Sequence, residues 1–381
     1  MKICIISGTF PYMRCGVGDY TCCLSSQLKT YSELSLRIIT SQYEPLQAIA
    51  GVRIEPKLEG WNFRAMASLA KLLRKDPVDI LHLQYPTQAY KNKLAINFFP
   101  FFLKFYRIST PFLVTLHDVE TAHPLNKLRI VPFLLSAGKV ILTVEEEKQY
   151  IEKRLPFLRS KLCVINLGSN IQPYTMSEQT REEIRTSLGV ARDEILISHF
   201  GYILRKKKLE VLFYALRRLL NEGYKIKLIL VSAFSPEKDR YHKTLEAVVA
   251  KFKLDKNVIW AGYCAEEKVS KYLFCSDINT QIYPDGASFH RGSFLAALSH
   301  GLAIVGTKVN ALPEGLREGE NILTFSPGDI QGLTKAIRAL AESGNLRKEL
   351  GKNALVLSKK FSWEQVAEKH FRLYQEILKN K

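Results

Sequence analysis

The sequence predicts an α/β protein of two doubly wound domains, each a parallel sheet with helices on both faces. Three observations carry that prediction. Apolar runs of strand length alternate with amphipathic helical stretches along the whole chain, as successive βα units require. The alternation falls into two series separated by a polar stretch at 172–193, QPYTMSEQTREEIRTSLGVARD. The chain has 381 residues, 46% of them hydrophobic, which suits two cores better than one.

In the first series, apolar runs at 3–7, 36–40, 78–83, 112–116, 140–144 and 162–165 read as strands buried on both faces. Helices are expected between them, for example at 17–28 and 63–73. The second series places strands at 195–201, 225–232, 258–262, 278–283 and 302–306. Its first helix, 209–220, aligns Val211, Leu212, Ala215, Leu216 and Leu219 on one face and stops at Gly223. The last helix has a defined start: Ser362 is an N-cap, Gln365 completes a capping box, and Phe361 faces Val366 as a hydrophobic staple. Val366, Phe371, Leu373, Tyr374 and Leu378 then carry its apolar face. The expected division is 1–172, 173–362 and a terminal helix at 363–381. No internal repeat and no low-complexity tract interrupts it.

Composition excludes several classes. The proportions are those of a globular protein, not of a disordered chain, a collagen or a disulfide scaffold. Seven cysteines, including the adjacent Cys22 and Cys23, show no CxxC pairing or Cys/His metal spacing, so reduced thiols in a cytoplasmic protein are expected. The opening MKICIISGTF is too short an apolar run for a signal peptide, and no stretch reaches about 18 uninterrupted apolar residues. The formal charge is 55 − 37 = +18, with 22 basic and 13 acidic residues in 1–172 and 33 and 24 in the remainder. Each part is therefore at +9. Such an even spread argues against a basic tail or a nucleic-acid module. It suits polyanionic small molecules or an anionic membrane surface.

Three constellations could carry chemistry. After the first strand come Gly8-Thr9-Phe10-Pro11 and then Arg14-Cys15-Gly16-Val17-Gly18-Asp19-Tyr20. Small residues there let backbone N–H groups approach an anion at a helix N-terminus. The spacing is not GxGxxG, since position 21 is Thr, and a plain glycine-rich turn explains the segment equally well. The second constellation, Gly201 to Lys208, sets Arg205, Lys206, Lys207 and Lys208 at the carboxyl end of a parallel strand, where open α/β sheets bind ligands. Cations at a helix start oppose the macrodipole, which favours a ligand over a solvated basic face. The third, Pro284 to Phe294, holds Asp285, His290 and Arg291 and leads through Gly292 and Ser293 into a helix. Eleven residues exceed what a bare strand–helix connection needs. Two anion-binding loops, one per half, suit a ligand held in a cleft between the domains.

With these residues in hand, the chain resembles the retaining GT-B glycosyltransferases of family four, the glycosyl transferases group 1, whose fold is two Rossmann-like domains facing a cleft. The resemblance rests on Gly16-Val17-Gly18, Asp79-Ile80-Leu81-His82, Thr115-Leu116-His117-Asp118 and Val164-Ile165-Asn166-Leu167-Gly168-Ser169-Asn170. It continues with Gly201 and Lys207, the 293–301 helix, Leu312-Pro313-Glu314, Glu318-Gly319-Glu320-Asn321 and Phe361-Ser362-Trp363-Glu364. It spans nearly the whole chain in order. It implies that Lys207 and Arg205 bind the donor diphosphate, that Gly292, Ser293 and Phe294 offer it backbone N–H groups, and that Gly16 to Gly18 close over it. It sets His117 near the reacting sugar, although a satisfied histidine in its turn is the other reading. Asp285, His290 and Arg291 fall where the family contacts donor sugar and acceptor, and Asp19, Tyr20 and His82 fall on the acceptor side. The terminal helix would cross back onto the first domain.

One departure stands out. Most of the family carries two glutamates, one of them on the ribose hydroxyls, at positions that are Ser288 and Ala296 in this sequence. Asp285 is the substitute within reach of the first. The implied reaction is retaining transfer of a sugar, a hexosyl group, from a nucleotide sugar to an acceptor hydroxyl in glycan, glycolipid or polysaccharide synthesis. No DxD-type pair appears near a strand end, so no metal or other cofactor is expected. The Phe-dense segment 91–107, with cations at both ends, reads either as a buried helix that Pro100 would kink at a surface, or as an interface docking on a membrane where lipid-linked acceptors reside. A nucleotide-sugar epimerase of the same fold and a non-catalytic nucleotide-sugar-binding partner protein are the alternatives, the second favoured by the missing glutamates.

Overall fold

The computed structural model describes residues 1–13, 15–42, 45–85, 87–117, 119, 124–174 and 176–380, with the side chains of 87–88 and 124–126 left out. Arg14 and Asp118, both quoted in the motifs above, lie outside the described residues. The chain forms two compact units, Met1–Gly168 with Ser362–Lys381, and Ser169–Phe361.

The first unit holds seven strands: β1 (Lys2–Ser7), β2 (Ser35–Ser41), β3 (Arg53–Leu58), β4 (Ile80–Tyr85), β5 (Phe112–Leu116), β6 (Lys139–Leu142) and β7 (Leu162–Val164). They pair in the order β3-β2-β1-β4-β5-β6-β7, every pair parallel. The winding reverses between β1 and β4, so the loops after those two strands open at a switch point, where such sheets take ligands. The second unit repeats the plan with β8 (Ile195–Phe200), β9 (Ile226–Val231), β10 (Val258–Trp260), β11 (Ile278–Gln281), β12 (Ala303–Thr307) and β13 (Leu323–Phe325). Their order is β10-β9-β8-β11-β12-β13, again all parallel. Its switch point lies between β8 and β11.

The elements form for local reasons. β1 and β4 are buried along almost their whole length, as mainly apolar strands in a helix-covered sheet are. Helix Phe63–Lys75 starts where the Asn62 side chain accepts from Ala65 N–H at 2.9 Å. Two strands have no counterpart among the sequence expectations. β3, RIEPKL, is an edge strand with charges and a proline, and β13 is only three residues long. Neither makes the apolar run that marks a central strand. Pro100 does not kink its helix: it sits in the first turn of Phe99–Phe105, where a missing N–H is harmless.

The first unit's core lies on both faces of its sheet. One face packs Leu81, Leu83, Phe112, Val114 and Phe133. The other packs Ile3, Ile5, Ile80 and Leu113 under Tyr20 and Leu24 of helix Gly16–Leu28 and under Trp363, Val366 and Tyr374 of helix Trp363–Lys379. Among the described residues no helix is long and apolar enough to cross a membrane. The seven cysteines are unbridged, and burial pushes the Cys4 thiol up to about 12 and those of Cys163 and Cys275 to about 11, which leaves them poor nucleophiles.

Candidate functional site

In the second unit the chain leaves β8 at Gly201, with φ at +125°. A side chain there would be strained, and its Cβ would lie 3.1 Å from Ser293 Oγ and 3.6 Å from Lys207 Nζ. Glycine thus lets three segments converge: the β8 loop, the turn Arg205–Lys207 and the start of helix Gly292–Ser299. Lys207 is 7% exposed, and its ammonium has no carboxylate partner among the described residues. Its Nζ sits 4.9 Å from the ring centre of Tyr283, just beyond the end of β11. The Arg291 guanidinium lies 4.6 Å from the same ring, so one aromatic ring holds two cations close together. Burial, and then the charges of Arg291 and Lys206, pull the Lys207 amine down to about 8.

Tyr283 is itself fixed. Its hydroxyl donates to Gln281 Oε1 at 2.7 Å and accepts from Ser293 Oγ at 2.6 Å. Behind it, His199 donates from Nδ1 to the Thr280 carbonyl at 2.9 Å, and its Nε2 is buried without a partner. Burial and the Lys207 charge hold this imidazole down near 3, so it stays neutral. Arg291 pairs with Asp285, while its buried Nε has no partner. Arg205 is exposed on its turn.

Helix Gly292–Ser299 begins without a side-chain cap, and nothing lies within 4 Å of where a Gly292 Cβ would be. The first amides of a helix have no intrahelical acceptor, so Gly292 and Ser293 present N–H groups beside two cations. Phe294 does not join them. Its N–H donates to the Arg291 carbonyl at 2.9 Å and its side chain is fully buried, which corrects the expectation that it contacts phosphate. Ser288 is half-buried, and Ala296 is fully enclosed. A carboxylate at 296 would have no room.

In the first unit, helix Gly16–Leu28 also starts without a side-chain cap. Gly16 is exposed, with no atom within 4 Å of its missing Cβ, whereas a Cβ on Gly18 would lie 3.2 Å from the backbone of Phe10. Gly16 is open to a ligand, and Gly18 serves close packing. Asp19 is half-buried in the helix's first turn. Tyr20 is 3% exposed, its hydroxyl 3.3 Å from His370 Nε2 and its ring 5.0 Å from that of His117, edge-on.

His117 is half-buried, and its Nε2 donates to Gln84 Oε1 at 3.1 Å. The Gln84 amide turns its nitrogen to His82 Nε2 at 3.1 Å, where Thr115 Oγ1 also approaches at 2.7 Å. His82 Nδ1 then donates to the Tyr374 hydroxyl at 2.7 Å. With both ring nitrogens engaged and no exposure, His82 does not reach an acceptor. Burial drives its imidazole well below the usual range, and it orients Gln84, which fixes His117 in turn. Tyr20 is similarly enclosed, so of the three acceptor-side expectations only Asp19 keeps partial exposure. Sequence reasoning missed Tyr283, His199 and Gln84. Two of them carried a signal: Tyr283 directly precedes the quoted loop at Pro284, and Gln84 lies two residues from His82 on the same strand face.

Among the described residues no group of three or more His, Cys, Asp or Glu could hold a metal ion. The arrangement presents two cations and a bare helix N-terminus at the switch point of one sheet, and, in the other sheet, an oriented imidazole at the end of β5, one strand away from the switch point. The first suits a diphosphate.

Comparison with known proteins bears on the fold. Over 327 residues the chain is 21% identical to N-acetyl-alpha-D-glucosaminyl L-malate synthase of Bacillus anthracis, covering 83% of this chain and 80% of that protein. The fold matches a glycosyltransferase from Rickettsia africae with a TM-score of 0.80 at 18% identity, over 100% of this chain and 99% of the other. It also matches Anabaena HepE, solved with UDP and glucose, with a TM-score of 0.73 at 16% identity over 99% and 100%. Residues 194–343, which include every cation and amide of the second unit's site, match the family described as Glycosyl transferases group 1. The chain is a two-domain α/β protein of GT-B fold whose residues 194–343 match the glycosyl transferases group 1 family.

Proposed function

We propose that the protein transfers a hexosyl group from a nucleotide sugar to an acceptor hydroxyl with retention, in the synthesis of a glycan or glycolipid in the cytoplasm. The carrying observation is Lys207: a buried ammonium without a carboxylate, sharing the Tyr283 ring with Arg291 beside the open amides of Gly292 and Ser293. A buried cation offset only by the Asp285 charge, without an ion-pair contact, is costly, and a bound diphosphate would neutralise it. The same groups would stabilise charge developing on the leaving nucleotide, without a metal or other cofactor. Arg205 extends the positive field. Gly16 offers its amide from the first unit, and His117, held by Gln84, acts at the sugar. Asp285 orients Arg291 as well as facing the donor, and Asp19 belongs to the acceptor side. A uridine diphosphate donor is the first to try, because Anabaena HepE was solved with UDP and glucose.

The test is nucleotide release from a panel of UDP-, GDP-, ADP-, dTDP- and CMP-sugars in EDTA, with and without candidate acceptors. One donor is expected to release its nucleotide, and Lys207→Ala to abolish the release. Activity that disappears in EDTA and returns with Mg²⁺ or Mn²⁺ overturns metal independence. A second reading, a non-catalytic nucleotide-sugar-binding partner protein, is favoured by one observation: Ala296 is enclosed and Ser288 is uncharged, so no acidic pair stands ready for ribose. Donor binding without any turnover would select it. An epimerase would instead return an altered nucleotide sugar with no acceptor present.

A further inference from the structure

The helical stretch Ala95–Phe98 and Phe99–Phe105 is apolar on two opposite sides. Ala95, Ile96, Phe99 and Leu103 are buried in the first unit's core. On the other side Leu94, Phe98, Phe101 and Phe105 recur at helical spacing and face solvent, Phe105 at 80% exposure and Phe101 at 52%. Exposed Phe63, from helix Phe63–Lys75, extends the stripe, its ring centre 5.9 Å from that of Phe98. A helix of a globular protein needs an apolar face only toward its core, and a contiguous aromatic patch in water marks an interaction surface.

Charge identifies the occupant. From Ile80 to His117 the sequence holds no Asp or Glu but four cations, Lys91, Lys93, Lys104 and Arg107. All four are exposed, and none has a carboxylate partner among the described residues. An all-cationic rim would repel a second copy docked through the same face. It complements anionic headgroups, while aromatic side chains enter the boundary between headgroup and acyl chain. We propose that this face seats the first unit on an anionic lipid bilayer. This goes beyond the donor-site reading and does not depend on it.

Vesicle co-sedimentation at low salt tests it, comparing phosphatidylcholine alone with phosphatidylcholine containing phosphatidylglycerol. Wild type is expected to sediment with the anionic vesicles only. The double variant Phe101→Ser/Phe105→Ser should lose at least about tenfold in partitioning. Lys104→Glu/Arg107→Glu should lose about fivefold or more for each cation removed. Both variants change exposed side chains, and unaltered thermal unfolding confirms that they fold. Wild type that ignores anionic vesicles, or two folded variants that bind as wild type does, overturns the proposal. So does concentration-dependent self-association that Phe101→Ser/Phe105→Ser abolishes in a chain with no affinity for vesicles.

Discussion

At the scale of single residues, the proposed donor site rests on Lys207. Burial and neighbouring cations put its amine at about 8 in the fold, against 10.5 ordinarily. Between those two values the unfolded chain holds more protons on this group, so its contribution to stability increases as pH rises through that window. Diphosphate affinity runs the other way, because only the charged form attracts the anion. Binding of the preferred nucleoside diphosphate is therefore expected to weaken about tenfold between pH 7 and 9. Calorimetry on Lys207→Arg should show that slope removed, since a guanidinium does not titrate there. A second prediction concerns Gly201, whose φ of +125° would strain any side chain and whose Cβ would crowd Ser293 Oγ at 3.1 Å. Gly201→Ala should lose nucleotide binding while Ala substitution at the solvent-open Gly292 loses far less, as read by thermal shift.

Secondary elements show which parts of the protein were legible beforehand. β1, β4, β5, β8 and β9 announce themselves because a strand covered by helices on both faces is mostly apolar, polar residues such as His82 and Gln84 being the exceptions that need buried partners. β3 and β13 did not, since an edge strand has one partner and less need of burial. The cations Lys207 and Arg291 were legible as candidates from their loops at the ends of β8 and β11. Tyr283, which organises both cations, was not: aromatic side chains at strand ends are ordinary core residues in sequence, and only the fold brings two cations to one ring. His82 was misplaced for the converse reason, because a motif histidine reads as a contact residue until Thr115, Gln84 and Tyr374 are seen to surround it. The capping signal at Ser362 translated directly, its Oγ accepting from Gln365 N–H at 3.3 Å. Ser362→Ala should cost about 1 kcal/mol, read as a Tm lower by about 2–4 °C, with nucleotide binding unchanged at saturation.

For the whole molecule, each unit carries its own candidate groups. The second carries a cation pair and open helix amides, which the proposed function assigns to a diphosphate, and the first carries an oriented imidazole, an open Gly16 and an aromatic, cationic face. Net charge of +18 raises the local concentration of anionic ligands around both units. The central claim is that this charge is focused at Lys207 to hold a nucleoside diphosphate. A thermal-shift panel of UDP, GDP, ADP, dTDP and CMP and their sugars, run in EDTA on the full chain and on Lys207→Ala, tests it most directly. A ligand at about 100 times its Kd adds about 2.7 kcal/mol to the native state. One base is expected to stabilise the wild-type protein and none to stabilise the variant. No shift in the wild type, or an equal shift in both, would contradict the account.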